Sequence, residues 1–379
     1  MSRLTIVDNG ILYINPDPAH HHVSAFFPNM VQLSDREYVC IYQRGDGMYA
    51  VNCNVARLRS LDCGATWQDE GFLYEKSGDD RPYSYHCTFV SRFGDARLVV
   101  FAFRADRSNP QQPMFSETGG VIANEPLLLF SEDGGRTWSG PLVVELPAGL
   151  VATPAQSIIE LQNGRWFATF DQWPAFEDPG PYRPRMLGFF SDDQGRTWKD
   201  MVVVADGATD GKGFWHGRAI RLSDGRLFSL FWSADMTDPT RGPIDLPIHY
   251  AYADPTGQAW ETPQPTTIPG QTNCPSELAD GRLAAIYTWR ESRQPGFLVV
   301  LSDDGGRTWE LEHQVCVWDT TGWTHIGLES RDRYPRSHDT IAFGAPSLFT
   351  TTSGELVASW WCTHASLTHL RWARIAANV

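Results

Sequence analysis

The sequence predicts an all-β fold: a six-bladed β-propeller with four antiparallel strands per blade, the N-terminal strand closing the last blade. Three observations carry this expectation. One eight-residue box recurs as SLDCGATW (60–67), SEDGGRTW (131–138), SDDQGRTW (191–198) and SDDGGRTW (302–309). A second motif, a short polar turn followed by an apolar run, recurs six times. No segment shows the 3.6-residue apolar period of an amphipathic helix. Self-similarity at a fixed step marks a repeat architecture, and it has to be read before any chemistry.

The box at 302–309 follows its predecessor by about twice the usual interval. Midway lies ADPTGQAW (253–260), which keeps Gly257 and Trp260 and makes a fifth box. The second motif reads LSDREYVCIYQR (33–44), RFGDARLVVFAFR (92–104), LQNGRWFATFDQW (161–173), LSDGRLFSLFW (222–232), LADGRLAAIYTWR (278–290) and LFTTTSGELVASWW (348–361). Each run is short, rich in aliphatic and aromatic residues, and bounded by Gly, Asp, Ser and Asn, which is strand-and-hairpin patterning. Near-continuous apolar runs suit strands covered on both faces. Each of the first five precedes one box. Six units in 379 residues leave about 63 residues each, room for four strands and their loops.

The unit is therefore strands A and B joined by a turn, a variable loop, strand C, the box, and strand D. The sixth unit ends before any box, so LTIVDNGILYI (4–14) supplies its outer strand. Ring closure removes the exposed sheet edges that invite aggregation. One domain spanning 1–379 follows. Within the box, serine and aspartate side chains bond the turn's own amides, glycine permits a positive φ, and tryptophan wedges between strands. The box is architecture.

A net charge of −14 with no basic block opposes binding to nucleic acid. No apolar run approaches the roughly 18 residues of a membrane span, and MSRLTIVDNGILYI does not read as a leader. The seven cysteines, Cys40, Cys53, Cys63, Cys87, Cys274, Cys316 and Cys362, are odd in number and scattered, without a C-x-x-C pair. Free thiols in a cytoplasmic compartment fit this pattern. No cofactor is expected. His86, His216 and His364 stand on different units and form a metal-site alternative without supporting ligand spacing.

The boxes resemble the Asp-box, S-x-D-x-G-x-T-W, of the sialidase (neuraminidase) superfamily, whose members are six-bladed propellers. The likeness covers essentially the whole chain. It is specific for fold and far less so for activity, because such propellers also include lyases and binding proteins. It implies a site on the face opposite the boxes, at the starts of strands A and the ends of strands B. Polar residues collect at those positions here, as in a pocket built on a rigid scaffold. Asp46, His86, Asp171 and His216 are the candidate catalytic groups, suited to general acid/base work. Arg44, Arg104 and Arg290 are candidates for clamping an anion. Trp173, Trp232 and Trp361 offer a floor for a sugar's apolar face, with His22 and His364 near the mouth.

The sequence departs from the sialidase pattern in three places. Phe26 of Phe26-Phe27-Pro28 stands where sialidases open with an arginine, and His216 falls where a glutamate assists the nucleophile. For the tyrosine nucleophile only Tyr334, in SRDRYPRSHD, is at hand. The expectation is a sialidase-like glycoside hydrolase acting exo on a small anionic or deoxy-sugar glycoside, and not an ordinary sialidase. A uronate lyase using histidine, tyrosine and arginine is the first alternative. A non-catalytic sugar- or protein-binding propeller is the second.

Overall fold

The computed structural model describes residues 3–180, 182–238, 242–321 and 342–378. Tyr334 lies outside the described residues. Among these residues there are twenty-five strands and two single-turn 3-10 helices. The strands form six antiparallel sheets, each running from strand A outward to strand D. Strands A are Ser24–Gln32, Tyr83–Phe93, Val151–Pro154, Lys212–Arg221, Asn273–Glu277 and Phe343–Thr350 in blades 1 to 6. Strands B are Tyr38–Gly45, Arg97–Asp106, Trp166–Trp173, Leu227–Asp235, Leu283–Trp289 and Leu356–His364. These are the six apolar runs read from the sequence.

The ring closes as expected. Leu4–Tyr13 pairs antiparallel with Leu367–Ala377, the C strand of blade 6, from Leu4 opposite Ala377 to Tyr13 opposite Leu370. Leu4 and Leu12 are buried there. Arg3, just before this strand, binds Asp303 in the box of blade 5 at 2.9 Å, tying the closing strand to its neighbour. The strand beyond the six-by-four pattern arises in blade 3. Its first strand breaks after Pro154 and resumes at Ile159–Glu160. Between them the chain turns to neighbouring blades: the Ile158 amide donates to Ser91 at 2.7 Å, and Gln156 accepts the amide of Ala219.

The core lies between blades, where both faces of each sheet are covered. Phe93 stacks on Trp166 at 4.2 Å and Phe101 on Trp198 at 5.9 Å, each pair spanning blades 2 and 3. The boxes hold the hairpins between strands C and D. In the second box Asp133 accepts the amides of Arg136 and Thr137 at 2.9 Å and the Thr137 hydroxyl at 2.6 Å, while Ser131 accepts the Gly135 amide at 2.8 Å. The Trp138 indole donates to the Gly135 carbonyl at 3.0 Å. The fifth glycine of every box has a positive φ, from 70° at Gly257 to 93° at Gly64. The degenerate box keeps this geometry by other means. Asp254, one residue early, accepts the Ala259 amide at 2.9 Å, and Trp260 still binds the Gly257 carbonyl at 3.0 Å.

Candidate active site

All six blades contribute to one cleft on the propeller axis, about 870 Å³ including its open mouth. Its lining comes from the starts of strands A, the ends of strands B and the loops beyond them, at the opposite end of the hairpins from the boxes. Strand ends pointing at a common axis are what bring residues distant in sequence to one place.

A backbone device shapes this cleft. In blades 1, 2, 4 and 6, strand A carries a bulge in which two residues face one residue of strand B. The first bulged residue is Phe27, Cys87, His216 or Ala345, with φ of 52°, 48°, 49° and 45°. None is glycine, and all four line the cleft. A left-handed conformation at a residue with a side chain costs roughly 1–2 kcal/mol and persists only where the surroundings enforce it. A bulge re-aims a side chain that regular alternation would send elsewhere.

In blade 4 the re-aimed residue is His216. The Asp171 side chain, buried at the end of strand B in blade 3, holds it twice: one carboxylate oxygen accepts the His216 amide at 2.7 Å and the other meets Nδ1 at 2.9 Å. This contact fixes the ring and leaves Nε2 for a ligand, the arrangement that orients a histidine for proton transfer. Trp232 stacks on the imidazole at 5.9 Å. The Trp232 indole in turn donates to Asp245 at 2.7 Å, which also accepts from Gln271 at 2.8 Å. Burial holds the Asp245 carboxyl above its ordinary value, against the pull of these two hydrogen bonds.

Arg218, two residues after His216, lies on the cleft wall and is 9% exposed. One Nη donates to the Pro346 carbonyl, and the guanidinium sits 5.3 Å from the Phe89 ring centroid. Its buried Nε has no hydrogen-bond partner, and the described residues give it no carboxylate. A buried cation without a counter-ion is costly, and an anionic ligand relieves that cost. Arg290, just past strand B of blade 5, lines the same cleft and donates to the Phe343 carbonyl at 3.0 Å. Cys87 completes the polar side chains near the dyad. Burial first, and then the neighbouring Asp171 charge, push its thiol up to about 12, so it is neutral.

The structure thus brings together six of the residues expected from sequence: Asp171, His216, Trp173, Trp232, Arg290 and Trp361. It does not bring the other six. His22 and Asp46 are exposed on loops outside the cleft lining, as is His364 at the end of its strand. Arg44 binds Asp69 at 2.6 Å and lies over Phe72, while Arg104 binds Glu125 at 2.7 Å and lies over Tyr83. His86 is fully buried, with Ser84 at 2.6 Å and Gln43 at 3.2 Å. Burial, and next the charge of Arg107, hold its pKa well below the ordinary histidine value.

Strand parity explains where Arg104 and His86 fall. Along a strand, successive side chains take opposite faces, so a one-residue slip moves a group out of the site. Phe103 and Trp232 stand opposite the residue preceding the bulge and line the cleft, whereas Arg104 is one residue further on. His86 precedes the bulge and His216 occupies it, although both follow an aromatic residue in sequence. Arg218, Phe27 and Cys87 were not singled out from sequence. The strand-A start in each unit was the available signal, but the bulge that turns those residues inward leaves no residue signature. Phe26, which stands at the sialidase arginine position, packs on Trp361 at 5.2 Å, and its neighbour Phe27 lines the cleft. Among the described residues no three His, Cys, Asp or Glu side chains are grouped to hold a metal.

Residues 112–323 match the BNR repeat-like domain, a span that includes four of the five boxes. The chain belongs to the BNR repeat-like family. With its six blades it is consistent with the sialidase-like superfamily. No curated protein matched in sequence. Among solved structures, this BNR repeat-like chain is similar to a protein of unknown function from Dyadobacter fermentans, with a TM-score of 0.76, 16% identity and 100% of both chains covered. It is also similar to the Hadza microbial sialidase Hz136, with a TM-score of 0.64, 13% identity, and 93% of this chain covering 65% of that one. A Penicillium chrysogenum α-L-arabinanase complexed with arabinobiose aligns with a TM-score of 0.64 and 13% identity, over 98% of both chains. At these identities the likeness is one of fold, a fold shared with glycoside hydrolases.

Proposed function

We propose that this protein is a glycosidase acting exo on a small acidic glycoside, with His216 as its proton-transfer group. The carrying observation is the Asp171–His216 pair: a buried carboxylate holds the imidazole through two contacts, inside a cleft to which all six blades contribute. Arg218 and Arg290 supply positive charge for the substrate's anionic group, and Trp232 and Trp361 supply flat faces for its ring. Release of sialic acid is expected to be weak, because aromatic Phe26 and Phe27 occupy the place of the first arginine of a carboxylate clamp. Loss of one charge-assisted bond to a partly buried carboxylate costs about 1.5–3 kcal/mol. The seven free cysteines suit the reducing, cytoplasmic compartment that we propose with this reading.

One observation favours elimination as a second reading. Among the described residues Asp171 is the one carboxylate in the cleft lining, and it is committed to His216. Hydrolysis by two carboxylates needs a second acidic group nearby. Elimination across a uronic acid needs one base, with an arginine neutralising the carboxylate. The test is a panel of 4-nitrophenyl uronides, deoxy-sugar glycosides and a sialoside, read for nitrophenol and for the ultraviolet absorbance of an unsaturated uronate. The account expects turnover of a uronide, ahead of the deoxy-sugar glycosides, without unsaturated product. It fails if the sialoside is the best substrate, or if His216→Ala turns over at the wild-type rate.

A further inference from the structure

The cleft is divided by chemistry. Among the described residues, every charged side chain of the lining (Asp171, Arg218 and Arg290), and His216 with them, comes from blades 3, 4 and 5. Blades 1 and 2 contribute only neutral groups, among them Met48, Tyr49, Phe103, Phe115 and Val121. Tyr49 and Phe115 meet edge to face at 5.1 Å, and Phe115 and Trp173 pack at 5.6 Å with a tilt of 59°. Met48 and Cys87 add polarisable sulfur beside them.

This wall is built to stay in place. Arg107, 4% exposed, donates to the carbonyls of Tyr49 at 2.7 Å and Gln112 at 3.4 Å and to Ser84 at 2.7 Å, pinning both loops that carry the wall. The outer loop bridges to blade 3 by pairing Val121 with Ala175. At Gly120 a Cβ would lie 2.2 Å from the Ala175 carbonyl oxygen, so only glycine allows that approach.

We infer that the group leaving from the scissile bond is aryl, so that the substrate is an aryl glycoside of an acidic sugar and not an oligosaccharide; this rests on the glycosidase reading above. A second sugar in the blade 1–2 half would bury hydroxyls against rings and sulfur without enough partners, and a buried hydroxyl left unpaired is costly. An aromatic ring meets the edge-to-face geometry already present there. The proton inventory agrees independently. His216 Nε2 takes a proton from water, the water oxygen bonds to the anomeric carbon, and the carbon–oxygen bond to the aryl group breaks with its electron pair leaving on oxygen. A phenolate departs without a proton donor and afterwards takes the proton from His216. A sugar alkoxide would need a second acid, and the described lining holds no carboxylate besides Asp171.

The test uses the full chain and 2-naphthoate, an aromatic carboxylate that needs no assumption about the sugar. Calorimetry should show one site per chain, and both Phe115→Asp and Val121→Asp should weaken binding by the folded protein by about tenfold or more. Val121→Thr serves if either charged variant unfolds, with a smaller loss in the same direction. His216→Ala should still bind, which separates this inference from the catalytic one. On the aryl glycoside found by the panel, Phe115→Ser should raise KM more than it lowers kcat. Absence of saturable naphthoate binding, or equal binding by the folded wall variants, overturns the proposal while leaving the role of His216 intact. A disaccharide turned over faster than the aryl glycoside of the same sugar overturns it too.

Discussion

The two ends of the propeller's hairpins repeat in opposite ways. At the box end the residues recur: serine, aspartate, glycine and tryptophan return with the same hydrogen bonds, and Asp254 rebuilds the turn where the spelling has drifted. At the axial end the backbone recurs while the residues differ, with one left-handed bulge presenting Phe27, Cys87, His216 and Ala345 to the cleft. Repeated side chains serve the turn that contains them. A repeated backbone with varied side chains is a set of mounting points, one of which carries the proposed chemistry. Catalysis and stability should therefore separate between the two ends.

The largest effect is expected at the dyad. Asp171→Asn removes the acceptor that fixes Nδ1 of His216, and turnover should fall about 10²–10⁴-fold, the range for loss of acid–base catalysis. Steady-state kinetics checks this, and wild-type turnover by the folded variant would place the pair outside the reaction.

Arg218→Met keeps an unbranched apolar stem and removes the buried charge. KM for an anionic substrate should rise by roughly one to two powers of ten, the equivalent of about 1.5–3 kcal/mol, while a neutral analogue should lose little. Equal losses for both would mean that Arg218 only supports the wall.

Acid should sharpen the contrast from the box end. Burial raises the Asp304 and Asp193 carboxyls, but hydrogen bonds from Thr308 and Ser302, and from Thr197 and Ser191, outweigh it and hold both below the ordinary value. Asp133 is held low in the same way. For carboxyls lowered by folding, the stabilisation is fully present above the unfolded pKa of about 3.9 and is lost as pH falls through the folded values. Melting temperature should thus decline below about pH 4, and less steeply in Asp304→Asn. A parallel decline in both proteins would contradict this. The smallest effect belongs to the bulge itself. Ala345→Gly relieves a left-handed alanine at φ 45°, and the gain of roughly 1–2 kcal/mol less the entropic cost of glycine should raise the melting temperature slightly.

The fold was legible because repeats need only be counted: blade number, strand order and closure by residues 4–14 all follow from two recurring motifs. Six of the twelve expected residues line the cleft for the same reason, since strand ends converge on the axis in any such ring. What the sequence did not disclose was parity. Arg104 sits one position past Phe103, which lines the cleft, and Arg44 one past the buried Gln43; each arginine is held by a carboxylate of its own blade. His86 and His216 look equivalent beside Tyr85 and Trp215, yet the bulge begins at His216 itself and one residue after His86, so only His216 is turned inward. A bulge set by backbone conformation at phenylalanine, cysteine, histidine and alanine has no spelling to read.

The most direct measurement sets the two ends against each other in one experiment: melting temperature and turnover of Asp133→Ala and His216→Ala, measured together on the substrate found by the panel. Asp133→Ala should lose about 1–2 kcal/mol of stability through its turn hydrogen bonds and keep the turnover of its folded fraction. His216→Ala should keep its melting temperature within a few degrees and lose about a hundredfold or more in turnover. The reverse pattern, with activity lost from the folded box variant and retained at His216, would contradict the division of labour between the two ends.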